Sequence, residues 1–305
     1  MNLSVEIGSL ILKNPVMVAS GTFGYGEVYS SIIDINRLGA VVTKGISLEP
    51  SAGNPPPRII ETPSGMLNAI GLQNIGFESF VSDKMPELRK HDTAVIVNFY
   101  GSKIEDYVVL AEKISAVEGV AALEANISCP NIKEGGISFG TDPEMAYRVT
   151  RKIREVTELP LIVKLTPNVT DIAAIALRVE AAGADAVSLT NTFTGMAVDI
   201  DKCRPALANI TGGLSGPAIR PLALRMVWDA VRAVSIPVIG IGGITDCSDA
   251  LQFLICGAKA VQIGTGIFVD PTAPVSIVDG IADYLKEKGL SDVNDVIGSL
   301  KTANS

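Results

Sequence analysis

The sequence predicts an α/β fold, a (β/α)8 TIM barrel with an N-terminal β-hairpin that closes the barrel floor. Three observations favour it. Eight short β segments are each followed by a helical pattern, these segments are mostly apolar, and no Gly-x-Gly-x-x-Gly unit is repeated. A doubly wound parallel sheet is the alternative architecture. The chain has 305 residues, 47% of them hydrophobic, without a linker or low-complexity tract, so we interpret 1–305 as a single domain.

The elements follow in order along the chain. Residues 4–13 carry apolar side chains at strand spacing and are predicted to form the hairpin. The predicted barrel strands are 16–19, 40–44, 94–98, 122–126, 161–165, 186–190, 238–241 and 260–264. The predicted helices are 27–38, 78–90, 102–117, 143–157, 171–182, 217–234, 246–256 and 272–288. Three of them begin near a Thr-Asp pair, a signal for a capped helix start: Thr141-Asp142, Thr170-Asp171 and Thr245-Asp246.

One connection, residues 46–77, is unusually long and rich in proline and glycine. This composition argues against a helix in the segment. Structureless loops of such length are uncommon in a compact domain and are usually functional. We therefore expect this connection to contribute to a binding site.

Composition and charge exclude several functions. A net charge of −8 and a pI near 4.8 argue against nucleic acid or an anionic membrane surface as a partner. No apolar run approaches the roughly 18 residues that span a bilayer, and no signal peptide is evident. The four cysteines form no Cys-x-x-Cys pair and the only histidine is His91, so no metal site held by this chain alone is predicted. A reducing, cytoplasmic location fits best.

Reactive groups of a (β/α)8 barrel lie at the carboxyl ends of its strands. In this sequence those ends carry amides, hydroxyls, lysines and glycines but no paired carboxylates, which disfavours glycosidase chemistry. The residues at these ends are Ser20-Gly21, Lys44-Gly45, Asn98, Asn126, Lys164, Thr190-Asn191-Thr192, Gly242-Gly243 and Gly264-Thr265.

Two features of these ends indicate a phosphorylated cofactor with an electron-rich ring. Glycine turns at 240–245 and 263–266 match the place where barrels bind phosphate through backbone N–H groups, although such glycines can also serve the turn alone. Lys44 and Lys164 each end an apolar strand, where a lysine either meets an anion or polarised ring or extends to solvent. Flavin mononucleotide (FMN) has both a phosphate and such a ring, and is the predicted cofactor. The glycines at 21–26 lack the order and acidic partner of a nicotinamide dinucleotide site.

The motif N-I-S-C-P-N at 126–131 places Cys129 between asparagines, after a predicted strand and before the glycine-rich segment 133–140. A reactive thiol beside amides that hold a planar polar ligand explains this pattern, and a buried structural cysteine is the alternative. The segment 133–140 is either a lid over that ligand or an ordinary surface loop.

A series of motifs runs in order along nearly the whole chain. They are N-P-V-M-V-A-S-G (14–21), G-M-L-N-A-I-G-L-Q-N (65–74), N-I-S-C-P-N (126–131), V-K-L-T-P-N (163–168), N-T (191–192), T-G-G-L-S-G-P-A (211–218) and the two glycine turns. By these motifs the chain resembles the dihydroorotate dehydrogenases, specifically the class 1B, NAD-linked catalytic FMN subunit. The sequence departs from the usual pattern of that family with E-A-N at 124–126 in place of E-L-N and with L-T-N-T at 189–192 in place of I-N-T. The resemblance implies a flavoprotein oxidoreductase of pyrimidine biosynthesis that oxidises dihydroorotate to orotate.

The resemblance also implies the ligand contacts. Cys129 would be the catalytic base that removes the C5 proton of dihydroorotate while a hydride leaves C6 for N5 of the flavin. The flavin would be held by Ser20, Lys44, Gly45, Asn98, Asn126, Lys164, Thr190, Gly216, Gly242, Gly243, Gly264 and Thr265. The pyrimidine would be held by Lys44, Asn68, Ala69, Ile70, Gly71, Leu72, Asn126, Asn131, Asn191 and Thr192.

The electron acceptor is expected to lie on another protein. The resemblance implies a partner subunit that carries FAD and an iron–sulfur cluster, with NAD as the final acceptor and a heterotetramer built on a homodimer. One alternative is a fumarate-using class 1A dihydroorotate dehydrogenase. A second is a flavin barrel like dihydropyrimidine dehydrogenase, which typically has histidine at the position of Asn131. A non-catalytic phosphate-binding barrel is the third.

Overall fold

The computed structural model describes residues 1–128, 133–134 and 137–302. Eight parallel strands within these ranges form a closed barrel, in which each strand pairs with the next along the chain and the eighth pairs with the first. The predicted barrel is confirmed, and each predicted strand ends within two residues of the observed one. The barrel strands, first to eighth, are Val16–Val18, Ala40–Val42, Ala94–Phe99, Ala122–Asn126, Leu161–Lys164, Ala186–Leu189, Val238–Ile241 and Ala260–Ile263.

Helices alternate with the barrel strands and surround them. The three predicted caps are present, since the Asp142 side chain accepts a hydrogen bond from the Met145 N–H, and Asp171 and Asp246 cap their helices in the same way. The helices are Gly76–Ser79, the π-helical turn Phe80–Lys84, Met85–Leu88, Ile104–Ser115, Pro143–Arg154, Ile172–Ala181, Arg220–Ala233, Cys247–Ile255, Gly266–Val269 and Ala273–Lys288.

The α-helix predicted over 27–38 is wrong. This segment forms two short 3-10 helices, Tyr29–Ser31 and Ile35–Arg37. Asp34 lies between them with an extended backbone, and its side chain accepts a hydrogen bond from the Asn36 N–H. The aspartate therefore starts a new helix instead of continuing the previous one.

The predicted N-terminal hairpin is confirmed. Val5–Ile7 pairs antiparallel with Leu10–Leu12, and the side chains of Val5, Ile7 and Leu12 are buried. Gly8 at the turn packs against Asp185, the residue that precedes the sixth barrel strand. The hairpin therefore covers the amino ends of the barrel strands and leaves the carboxyl ends to the long connections.

The long connection 46–77 is not structureless. It contains the strands Ile59–Thr62 and Gly65–Asn68, which join Phe193–Met196 and Thr211–Ser215 in a four-stranded antiparallel sheet. These segments follow the second and sixth barrel strands, so the sheet lies at the carboxyl end of the barrel. A small separate core centred on Leu67 supports it.

The segment 133–140 lies only partly within the described residues. Lys133–Glu134 pairs antiparallel with Ile137–Ser138, so these four residues form a short two-stranded ladder. The lid over a ligand stays a prediction. Among the described helices, none is long and apolar enough to cross a membrane.

Candidate active site

The carboxyl end of the barrel brings together an inner layer of polar side chains. At its centre lies Glu124, which is fully buried on the fourth strand. Its Oε1 accepts a hydrogen bond from Asn98 Nδ2 at 2.7 Å and lies 3.7 Å from Lys164 Nζ. Its Oε2 accepts hydrogen bonds from Gln262 Nε2 at 2.7 Å and Ser188 Oγ at 2.9 Å. Five barrel strands therefore contribute to one buried cluster beneath the mouth.

Two acceptors of this cluster have no hydrogen-bond partner within the part of the chain that the structure describes. They are Asn98 Oδ1 and Gln262 Oε1, both on fully buried side chains. A buried acceptor without a donor is costly, so such atoms usually indicate a missing water or ligand. The Asn98 oxygen lies against Gly45, where an added Cβ would come within 2.7 Å of it.

Lys44 is a half-buried cation at the end of the second strand. Burial lowers the pKa of its ammonium group, and the nearby positive charge of Arg58 lowers it further. Arg58 donates hydrogen bonds to the backbone oxygen of Asn54 and to the side chain of Gln73. Two neighbouring cations at the mouth favour an anionic ligand there.

A second polar cluster fixes the chain just before Cys129. Asn126 Oδ1 accepts hydrogen bonds from both the N–H and the hydroxyl of Ser128, and Asn191 Nδ2 donates to the same hydroxyl. The Tyr107 hydroxyl donates to the backbone oxygen of Asn126 at 2.8 Å. The predicted amides Asn126 and Asn191 are therefore brought together, directly beside the start of the cysteine segment. Cys129 and Asn131 themselves lie outside the described residues.

The segment 68–72 reaches the same end of the barrel through the four-stranded sheet. Asn68 pairs with Gly213 across the sheet, and Gly213 packs directly against the Thr192 side chain. Thr192 follows Asn191 and donates its N–H to the Asn191 side chain at 2.9 Å. Asn68, the first of the predicted pyrimidine-binding residues in this segment, is therefore linked through Gly213 and Thr192 to the amide cluster.

The glycine turns also converge. An added Cβ at Gly243 would lie 2.9 Å from the backbone oxygen of Gly216, and Gly242, Gly243 and Gly216 all have positive φ. Thr265 donates a hydrogen bond to Ser215, next to Gly216, at 2.7 Å. The sixth, seventh and eighth connections therefore meet at one side of the mouth.

Open space adjoins two of the predicted glycine positions. A Cβ added at Gly264 would meet only the Ala19 Cβ, at 3.6 Å, within 4 Å. Gly21, beside the predicted contact Ser20, has no described atom within 4 Å of such a Cβ. Side chains therefore leave space beside the main chain that follows the first and eighth strands.

Comparisons with known proteins identify the family. The family model described as dihydroorotate dehydrogenase matches residues 2–285. The chain belongs to the dihydroorotate dehydrogenase family. The predicted resemblance and the expectation of an oxidoreductase are therefore confirmed.

Relatives named dihydroorotate dehydrogenase B (NAD(+)), catalytic subunit, align over nearly the full chain. The protein from Geotalea daltonii is 59% identical over 98% of both chains, and that from Geobacter sulfurreducens is 58% identical over the same shares. The protein from Thermoanaerobacter sp. (strain X514) is 54% identical over 99% of both chains.

Sequence reasoning missed four residues that the structure adds to this region. Glu124, Ser188 and Gln262 lie within three strands whose sequences are otherwise mostly apolar. Their side chains meet inside the closed barrel, where Ser188 and Gln262 donate hydrogen bonds to Glu124. Arg58 follows the three prolines of the long connection. A charged residue inside an apolar strand was the one available signal for Glu124.

The residues at the mouth fit a bound flavin. The isoalloxazine ring offers an N–H donor, which suits the buried acceptor of Asn98. Its electron-rich pyrimidine edge suits Lys164, and its phosphate suits the converging glycine backbone. The space beside Gly264 admits a ligand without displacing a side chain.

Proposed function

We propose that the protein oxidises dihydroorotate to orotate on bound FMN and that the electrons leave through a partner subunit to NAD+. The observation that carries this proposal is the convergence of Asn126, Ser128 and Asn191 at the start of the cysteine segment, above a buried polar layer. The names of the relatives support the same activity, and they favour NAD+ over the fumarate alternative.

In this proposal the barrel mouth holds both ligands. FMN supplies, when bound, the acceptor for the hydride, which carries both of the electrons that the substrate loses. The residues that would hold it are Ser20, Lys44, Gly45, Asn98, Asn126, Lys164, Thr190, Gly216, Gly242, Gly243, Gly264 and Thr265.

The chain's own groups then bind and orient the pyrimidine. Lys44 and Arg58 supply positive charge that attracts the substrate carboxylate. The side chains of Asn126 and Asn191, already fixed by Ser128, present amide groups to the ring edge. We propose further contacts from the segment 68–72, from Thr192 and from Asn131.

Cys129 is proposed as the general base. It directly follows Ser128, whose backbone and hydroxyl are hydrogen-bonded to the amide cluster. Its thiolate would take the C5 proton, which the neighbouring C4 carbonyl acidifies. A free thiol titrates near ~8.5, so modest lowering suffices for a base at neutral pH.

The partner is proposed from the names of the relatives, which describe a catalytic subunit. We propose an electron-transfer subunit with FAD and an iron–sulfur cluster, in a cytoplasmic heterotetramer built on a homodimer. The described residues contain no group of three or more His, Cys, Asp or Glu side chains that could hold a metal.

Anaerobic mixing tests this function. The purified protein should be yellow, and dihydroorotate should bleach the flavin absorbance at about 450 nm while dihydrouracil should not. NAD+ should restore the colour only when the partner subunit is present. Bleaching by dihydrouracil alone would support a dihydropyrimidine dehydrogenase-like activity, and a colourless protein that takes up no FMN would contradict both.

A further inference from the structure

Glu124 is a buried carboxylate for which the proposed reaction has no direct use. It accepts hydrogen bonds from side chains of three other strands and pairs with Lys164. Removing a carboxylate from water is costly, and an apolar core would be at least as stable. A role beyond packing is therefore indicated.

The carboxylate determines which way two amides are turned. An ionised carboxylate only accepts hydrogen bonds, so the NH2 groups of Asn98 and Gln262 must face it. Their oxygens then face away, and neither has a hydrogen-bond partner among the residues that the structure describes. The Asn98 oxygen lies against Gly45, at the end of the second strand and therefore at the mouth.

The same carboxylate balances a positive charge. Lys164 Nζ lies 3.7 Å from Glu124 Oε1, and both side chains are buried. Interactions between such charges are screened little by solvent. Any change at Glu124 therefore alters the electrostatic potential that Lys164 imposes on a ring at the mouth.

We propose that Glu124 is a positioning residue for the flavin. It orients the amides of Asn98 and Gln262 as hydrogen-bond acceptors for the ligand, and it fixes and partly neutralises Lys164. This inference rests on the proposed function, because it assumes that the ligand at the mouth is FMN.

The variant Glu124→Gln separates orientation from packing. A glutamine has one oxygen and one NH2 group at the position of the two carboxylate oxygens. Whichever way it is turned, either Asn98 or Gln262 must turn over to avoid two facing donors. One of the two buried acceptors is then replaced by a donor, and Lys164 loses its counter-charge.

The holoenzyme of this variant should show two changes. We expect FMN to dissociate at least tenfold more readily, measured by flavin fluorescence. We also expect the equilibrium constant for two-electron reduction to rise about tenfold, because uncompensated positive charge stabilises reduced, anionic flavin. A tenfold change corresponds to about +30 mV in midpoint potential, measured by dye equilibration.

Two further variants provide the controls. Ser188→Ala removes one hydrogen bond to the same carboxylate but leaves its charge and both amides in place, so it should change FMN affinity and potential much less than Glu124→Gln does. The double variant Glu124→Gln, Gln262→Glu moves the carboxylate to the eighth strand and lets residue 124 accept again from Asn98. It should return the potential toward the wild-type value.

Several results would overturn the inference. They are a Glu124→Gln protein with wild-type affinity and potential, or equal effects of this variant and Ser188→Ala. If the wild type binds no FMN, the proposed function fails together with this inference.

If Glu124→Gln does not fold, a crystal structure of the wild-type flavoprotein tests the orientation of the Asn98 amide instead. Asn98 Oδ1 within hydrogen-bond distance of a ring N–H supports the proposal, and an Asn98 nitrogen facing the ring overturns it.

Discussion

Gly264→Ala should separate cofactor binding from folding. Gly264 follows the eighth barrel strand, and its φ lies outside the left-handed region, so alanine fits its backbone. The added Cβ would meet only the Ala19 Cβ, at 3.6 Å, which is ordinary van der Waals contact. The stability of the FMN-free protein should therefore be unchanged or raised by about 0.4–1 kcal/mol, because alanine restricts the unfolded chain.

The cost should appear when FMN binds, because the methyl group then occupies ligand space. Overpacking typically costs about 1–3 kcal/mol, which corresponds to a roughly 5- to 150-fold higher Kd for FMN. Fluorescence titration of FMN-free protein measures this Kd, and a thermal melt of the same sample measures stability.

Gly289→Ala provides the opposite control. Gly289 ends the last helix with a φ of +66° and has no described atom within 4 Å of an added Cβ. Alanine there should cost about 1 kcal/mol of stability, or about 2 °C in Tm, without changing the Kd for FMN. Wild-type FMN affinity in Gly264→Ala would refute the assignment of this glycine to the flavin site.

Three further predictions concern the base, the cations and the fold. Cys129→Ala should lower turnover with dihydroorotate by about 10²–10⁴-fold while FMN stays bound. Cys129→Ser should turn over slowly at neutral pH and recover part of its activity in alkali. Near-normal turnover of the alanine variant would show that Cys129 is not the base. Because burial and Arg58 lower the pKa of Lys44, its charge is lost at a lower pH than for an ordinary lysine, so kcat/KM should fall as pH rises through that pKa. Arg58→Gln should move this fall to higher pH, and an unmoved profile would contradict the electrostatic coupling. Asp171→Ala removes a cap that accepts from two backbone N–H groups and should cost about 1 kcal/mol, whereas Asp171→Asn should retain most of that stability in a urea melt.

The barrel could be predicted because its signals are local. Each strand is a short apolar run whose carboxyl end is followed by a polar residue or glycine. Each aspartate cap accepts a hydrogen bond from a backbone N–H no more than three residues later, so a short stretch of sequence is enough to locate the helix start. The helix predicted over 27–38 failed for an equally local reason, since Asp34 accepts from its own chain and restarts the helix.

The sheet above the mouth could not be predicted in the same way. Its strand Gly65–Asn68 pairs with Thr211–Ser215, about 150 residues away, and neither segment has an alternating pattern of its own. The pairing is decided by the barrel, which brings the second and sixth connections to one end.

The inner polar layer escaped sequence reasoning for a related reason. Glu124 is the one charged residue within its strand, but its partners on the third, fifth, sixth and eighth strands become neighbours only when the barrel closes. By contrast, Lys44, Lys164, Asn126 and Asn191 occupy strand ends, where the fold class alone indicates proximity.

A crystal structure of the holoenzyme with orotate would test the account most directly. The account predicts FMN at the carboxyl end of the barrel and the Cys129 sulfur within about 3.5 Å of C5 of the pyrimidine. A sulfur packed among aliphatic side chains, away from both rings, would contradict it.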